Sequence, residues 1–533
     1  MKQTMQEGKR FFKQYAKLIL LAAVAVFICF GFQAFNGNIR IDTEEFINAP
    51  GSTLGWLYIG RYGLVLLKRL LGLMVQQTVK SGVLMLLFFF AGGVLATFGC
   101  YHFSGEDRRY PYWLFLLLYA TSNIWSFQFY FSMQQAEIAL AMFLLVIAAI
   151  WMCHICFELG GWKINWKRNV PAAVVSMVFL VIGLASYQAI AVFYITLCVV
   201  FFLLYLLRTA QEQPKKGLLG GVVFLAGHFV ASYVIYTVIA NTWFMAAGDY
   251  MENQSNWGVE PVAECIKNVL RVIRNQLKTF GPRNFSFYTA GIVFGIAAVV
   301  ILIKKGVFRE KKKQILFVLA MLLLYASPFL MTLYAGAMLV TRTQFALPVA
   351  SAFLAMFSVM VLCEYGNAKK WAENAIKILG IVAICMQIGY NLRLHEADRL
   401  RYEHDTKLAE QVTDALKETC GDDMTELPVL FVGYQKPQLP WYARRSEMYG
   451  WSFFEWDYSR ENATGATHRI QGFLKAYEGV TLKEDTSEPL TKKATELAEN
   501  MEIFPAEGSV LKTDDLIVVK LSELEERTDI DWW

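Results

Sequence analysis

Three carboxylates, Asp42, Glu44 and Glu45, lie together in the string RIDTEEF, directly after the first long apolar run. Gln134, Gln135 and Glu137 open a later apolar run, and Tyr187 and Gln188 stand in a tight turn between two others. Arg342 and Gln344 precede a further run, and Arg61 lies in GWLYIGRYG. Carboxylates beside cations suit one kind of step. A carboxylate takes the proton from a hydroxyl as its oxygen attacks a carbon centre, and a guanidinium steadies a departing phosphate by gripping two of its oxygens. Asp42 is the first choice for the base, with Glu44 or Glu45 next. Arg342 is the first choice for the phosphate, with Arg61 second. Gln134, Gln135, Glu137, Tyr187, Gln188 and Gln344 are candidates for holding substrate. Each has a plainer reading: solvated loop carboxylates, a helix-dipole partner for Glu137, hairpin closure by Tyr187 and Gln188, and a snorkelling Arg342.

The elements that must position these groups are helices in a bilayer. Of the 533 residues, 56% are hydrophobic and 18% charged, against roughly 45–50% and about 25% in soluble domains. The excess comes in blocks near the ~20 residues a helix needs to cross a hydrocarbon core, where only internally bonded backbone survives. The blocks fall near 18–35, 83–103, 112–130, 134–157, 170–187, 189–207, 218–245, 286–303, 315–334, 345–363 and 376–390, about eleven spans. No secretory cleavage site follows the first, so 18–35 reads as a retained helix.

Basic residues set the orientation. Lys2, Lys9, Arg10, Lys13 and Lys17 precede the first helix. Every second connection is also basic: Arg108 and Arg109; Lys163, Lys167 and Arg168; Arg208, Lys215 and Lys216; Lys304, Lys305, Arg309 and Lys311 to Lys313; Lys369 and Lys370. Cytoplasmic loops carry this excess, so the N-terminus is expected in the cytoplasm and the acidic cluster outside. The net charge of +5 is absorbed by topology and implies no nucleic-acid partner. The first outer loop, 36–82, ends in LVLLKRLLGLMVQQTVK. Leu and Met lie on one of its faces and Lys68, Arg69, Gln76 and Gln77 on another, which predicts an interfacial helix. A second outer loop, 248–285, carries an amphipathic helix as well. A cavity formed by all these groups at the outer surface would suit a donor whose phosphate headgroup sits at the interface while its tail stays in lipid.

After residue 390 the chain turns polar. PVLFVGY and DDLIVVKLS predict strands, and HRIQGFLKAYEGV and TKKATELAENM predict helices. The division is therefore 1–390 for the membrane part and 391–533 for a small α/β domain on the outer side. Its stretch WYARRSEMYGWSFFEWDY could stack on sugars or dock at the membrane interface. Cys265 and Cys420 could pair; the string Cys153, His154, Cys156 reads as packing, since a metal site needs about four ligands. No residue is assigned to a metal. HExxH, GxSxG and Walker A motifs do not occur, and no second Cys pair accompanies Cys153 and Cys156.

Several segments together resemble the GtrII-type glucosyltransferase family: RIDTEEF with GWLYIGRYG, SFQFYFSMQQAEIALAM, GLASYQAIAVFYITL, RTQFALP, LRYEHDTKLAEQV, PVLFVGY and FPAEGSVLKTDDLIVVKL. The resemblance implies a GT-C-like membrane glycosyltransferase that moves a hexose, glucose, from a polyprenyl-phosphate donor to a cell-surface glycan. By analogy Asp42 takes the base position, with Glu44 and Glu45 adjacent. Family members often carry neighbouring aspartates here, whereas this chain has one Asp and a Glu pair. The choice of base, and a divalent cation (Mg or Mn) as cofactor, therefore stay open. The competing readings are a transporter or flippase for a lipid-linked sugar and a non-catalytic membrane scaffold.

Overall fold

The computed structural model of the protein describes residues 2–158, 166–213, 217–244, 255–278, 287–366 and 370–525. The basic residues Lys163, Lys215, Lys216 and Lys369 lie outside them. The chain divides into two units. The first is Met1–Phe35, Thr53–Phe129 and Gln134–Asn391; the second is Asn36–Ser52, Tyr130–Met133 and Leu392–Trp533.

Among the described residues, the regular elements of the first unit are helices. Among the described residues, eight helices are long and apolar enough to cross a membrane: Ala16–Phe35, Thr78–Phe103, Gln135–Glu158, Ile190–Arg208, Leu218–Trp243, Lys311–Ala335, Ala346–Glu364 and Glu373–Cys420. Asn169–Leu184 and Tyr288–Lys304 are apolar but shorter. The block 112–130 is not one helix. Its helices Tyr112–Ala120 and Ile124–Phe129 are separated at Thr121–Asn123. Buried backbone freed by such a break needs partners, and Asn391 supplies one: its Nδ2 donates to Thr121 O at 2.8 Å, while its Oδ1 accepts from the Ser126 hydroxyl Oγ of the following helix at 2.8 Å.

The run after GWLYIGRYG is also shorter than expected. Its helix spans Tyr62–Leu71 and stops at Gly72, whose φ of 64° is in the left-handed region, which favours glycine. Lys68 does not lie on a solvated face. It is buried and ion-paired to Glu137, with Nζ 2.9 Å from Oε1, and packs over Trp56. The amphipathic reading places every cation in water, and one buried carboxylate partner is enough to reverse that for Lys68. Arg69 is exposed.

In the second unit, strands β1 (Val429–Val432), β2 (Val510–Lys512) and β3 (Ile517–Lys520) form a sheet with β3 in the centre. It lies parallel to β1 and antiparallel to β2. Every residue of β1 and β3 is buried, and all but Lys520 are apolar, the near-continuous apolar pattern of strands covered on both faces. Helix Glu488–Ala498 packs on β1 and β3 through Ala494 and Ala498, and helix Thr467–Glu478 packs on β1. No disulfide forms among the described residues, and Cys265 and Cys420 are not bridged.

Candidate active site

The loop that carries the carboxylates is held from beneath by a buried charge ladder. Arg40 Nε donates to Asp398 Oδ2 at 2.9 Å, and Arg401 Nη2 donates to Asp398 Oδ1 at 2.7 Å. Arg401 Nη1 reaches Ile39 O at 3.0 Å and Asp405 Oδ2 at 3.2 Å. All four side chains are buried, and such charges are tolerated only when paired and hydrogen-bonded. Tyr130 covers Arg40, its ring centroid 5.5 Å from the guanidinium carbon.

Two residues on from Arg40 the chain turns sharply. Thr43 N donates to Arg40 O at 2.9 Å, and Asp42 adopts φ 66°, ψ −14°. A left-handed conformation is unusual for a residue with a Cβ and is held only where the surroundings dictate it. The short helix Thr43–Asn48 follows. It is fixed to helix Thr467–Glu478 by Asn48 Nδ2, which donates to Gly472 O at 2.8 Å. Gly472 keeps this approach close: an added Cβ would lie 3.2 Å from Glu44 Cγ.

This turn brings Asp42, Glu44 and Glu45 together, with one oxygen from each within 4.8 Å of the others. Their environments differ. Glu44 is 1% exposed, against 39% for the Asp42 side chain and 51% for Glu45. Burial outweighs the adjacent guanidinium and pushes the Glu44 carboxyl up to about 7. Glu44 Oε2 has no hydrogen-bond partner among the described residues.

The central cation, Arg469, was not legible in the sequence. Its Nη1 lies 2.8 Å from Glu44 Oε1 and 3.0 Å from Glu45 Oε1, its Nη2 3.1 Å from Asp42 Oδ1, and its Nε 3.1 Å from Asp457 Oδ2. These carboxylates raise the Arg469 pKa further. His468 lies 3.6 Å from Glu45 and 2.9 Å from Glu484, and these two carboxylates raise its pKa despite partial burial.

The remaining candidates belong to the first unit. Gly63 lets helix Tyr62–Leu71 approach the 185–188 turn: its N donates to Ala185 O at 2.9 Å, and a Cβ would come within 2.5 Å of Ile182 O. That approach sets Arg61 over the Tyr187 ring at 4.9 Å. Gln188 Nε2 donates to Ile59 O at 3.2 Å and to Tyr236 Oη at 3.0 Å. Tyr187 also meets the ring of Phe345 at 5.7 Å, next to Gln344, and Arg342 sits in the single turn Thr341–Thr343. Arg61, Tyr187 and Gln188 are thus brought together, with the Arg342–Gln344 segment adjoining through Phe345.

Gln134, Gln135 and Glu137, at the start of helix Gln135–Cys153, are all buried. Glu137 is taken by Lys68. Gln135, with its amide oriented to suit its neighbours, bonds Gly82 N and Phe129 O at 3.2 Å each. Gln134 is buried, and its Oε1 has no partner among the described residues. In the aromatic stretch, Trp451 is buried with Arg445 over its ring at 4.0 Å, whereas Trp441 is 88% exposed.

The profile of the family described as glucosyl transferase GtrII matches residues 31–359. The chain belongs to the GtrII glucosyltransferase family. The matched stretch of this GtrII-family chain holds every candidate catalytic, phosphate-binding and substrate-holding residue named singly from the sequence, and it ends before Asp457 and Arg469. No curated protein matches the sequence significantly. Among solved structures, the chain is similar to the oligosaccharyltransferase of Archaeoglobus fulgidus. With an acceptor peptide tethered, that protein gives a TM-score of 0.38 at 12% identity over 80% of this chain and 62% of that one. The complex of the same archaeal enzyme, AglB, with an inhibitory peptide and a dolichol-phosphate gives 0.36 at 13% over 89% and 69%, and the complex with Zn and sulfate gives 0.36 at 12% over 78% and 60%. The chain spans about three-fifths of the length of the first of these.

Proposed function

We propose that this GtrII-family chain is a multi-pass membrane glycosyltransferase of GT-C-like architecture. It moves a hexose, glucose, from a polyprenyl phosphate to a cell-surface glycan at the outer face. The N-terminus lies in the cytoplasm and the 391–533 domain outside, a reading supported by the alternation of basic connections. The observation that carries the reaction is the acidic turn: a strained, half-exposed Asp42 held beside a buried Glu44 by one guanidinium.

In the proposed step an acceptor hydroxyl oxygen attacks the anomeric carbon. The bond from that carbon to the phosphate oxygen breaks, and the phosphate departs with the bonding electrons. Asp42 takes the hydroxyl proton, its exposure fitting it for contact with an acceptor. Glu45, also exposed, is the second carboxylate within reach. Glu44 is buried, and its role is to hold Arg469. Arg342 and Arg61 stabilise the negative charge that collects on the departing phosphate; Arg61 is steadied on the Tyr187 face. The three carboxylates offer hard oxygen donors, and Glu44 Oε2 retains unused acceptor capacity. This set suits Mg or Mn, which Asp42, Glu44 and Glu45 would hold and which would supply positive charge for the donor phosphate.

The test is transfer of labelled glucose from polyprenyl-phosphate glucose to envelope glycan by purified protein in liposomes. Transfer by wild type that is lost in Asp42→Asn supports the enzyme. Movement of labelled lipid across the bilayer with no transfer would replace this reading with the transporter.

A further inference from the structure

Arg469 stands beyond the stretch that the family profile matches, and 425 residues along the chain from Glu44. It nevertheless uses all three of its nitrogens on the acidic turn and on Asp457. We infer that Arg469 is a positioning residue for transfer: the C-terminal module completes the catalytic turn and is not only an acceptor-binding appendage. The inference rests on the proposed reaction for its meaning, and on geometry for its support.

The geometry is specific. Four carboxylates surround one guanidinium at 2.8–3.1 Å. Without that cation, Asp42, Glu44 and Glu45 would repel one another within a 4.8 Å cluster, and the left-handed turn at Asp42 would lose its clamp. Arginine fits because its planar fork serves several oxygens at fixed angles, whereas a lysine ammonium is a single point charge. Phosphate binding does not fit, since a phosphate would enter among carboxylates that already occupy the guanidinium. The helix is firmly seated: Thr467 Oγ1 accepts from Phe431 N at 3.1 Å, Gln471 Nε2 donates to Val429 O at 2.8 Å, and Phe473 stacks on Phe453 at 4.6 Å. Arg469 is therefore offered to the turn by an element fixed on the sheet. The neighbouring exposed Arg460 serves as a control.

The experiment compares wild type with Arg469→Ala, Arg469→Lys and Arg460→Ala in the full-length protein. Transfer kinetics are measured with polyprenyl-phosphate glucose, and hydrogen exchange is followed in peptides covering 38–48. Misplacing a reacting group by about 1 Å costs roughly a hundredfold. Arg469→Ala should therefore lower kcat by about that factor with donor KM within about twofold, and guanidinium ion in the buffer should restore part of the rate. Arg469→Lys should recover part of the loss, and Arg460→Ala should match wild type. Exchange in 38–48 should rise in Arg469→Ala alone. Unchanged kcat, or a loss confined to KM, overturns the inference. If Arg469→Ala does not fold, a fully active Arg469→Lys with wild-type exchange overturns it as well. If wild type transfers nothing, the proposed function falls while the exchange comparison still decides the role of Arg469.

Discussion

Replacing Lys68 by Met removes the positive end of a buried pair whose side chains are 2% and 0% exposed. Met keeps the length and apolar volume of the lysine stem, so packing against Trp56 is largely retained. Glu137 loses the ammonium 2.9 Å from its Oε1, and its Oε2 already lacks a hydrogen-bond partner among the described residues. Breaking a buried pair from one side costs about 3–5 kcal/mol, because the remaining charge stays buried and unmatched. Replacing both partners by apolar groups of similar size is often near neutral. Lys68→Met should therefore destabilise by about 3–5 kcal/mol, and the double variant Lys68→Met with Glu137→Leu should recover most of that. Equilibrium unfolding in mixed detergent micelles, run as a double-mutant cycle, gives the coupling directly. Additive losses, with the double variant worse than either single one, would refute the reasoning and show that the two side chains act separately.

Three further perturbations follow from the structure. Asn391→Leu removes the bond to Thr121 O at the break and the bond from the Ser126 hydroxyl, and should cost about 1–3 kcal/mol per buried group left unpaired in the same unfolding assay. Gly63→Ala drives a Cβ to 2.5 Å from Ile182 O and 2.8 Å from the Ala185 side chain; overpacking of this kind costs about 1–3 kcal/mol, and the shift of Arg61 from Tyr187 should weaken donor binding, read as a raised KM. Glu44 titrates at about 7 when folded, above its ordinary 4.5. Between those values the folded protein holds a proton that the unfolded chain has released, so stability should fall by up to about 3 kcal/mol as pH rises from 4.5 to 7 and level off above. In metal-free buffer Glu44→Gln should remove that slope from a plot of melting temperature against pH; an unchanged slope would refute the assignment.

Periodicity and block length located the long apolar helices, because a bilayer leaves the backbone no other solution. The polar triplet Thr121, Ser122 and Asn123 marked the break inside 112–130, but its stabilising partner Asn391 lies about 270 residues away, so the signal could not be read locally. Lys68 was misread for the same reason: its charge looks solvated until Glu137 is placed beside it. The strands at 429–432 and 517–520 are apolar runs bounded by turn residues and are visible as such; β2 is only three residues long and has no pattern to show. The acidic turn was legible as composition, since Asp42, Glu44 and Glu45 are neighbours in sequence. Its left-handed Asp42, the burial that separates Glu44 from the other two, and the clamp by Arg469 depend on chain segments hundreds of residues apart, which no local pattern encodes.

The most direct test of the acidic turn is single-turnover transfer of labelled glucose from polyprenyl-phosphate glucose to envelope glycan by reconstituted protein. Wild type is compared with Asp42→Asn, which keeps the shape of the side chain and removes its charge. Loss of a general base costs about 10²–10⁴-fold, so the expected result is rapid transfer by wild type and a rate lower by at least about a hundredfold in Asp42→Asn, with the melting temperature unchanged. Equal rates in the two proteins would contradict the assignment of the base to Asp42.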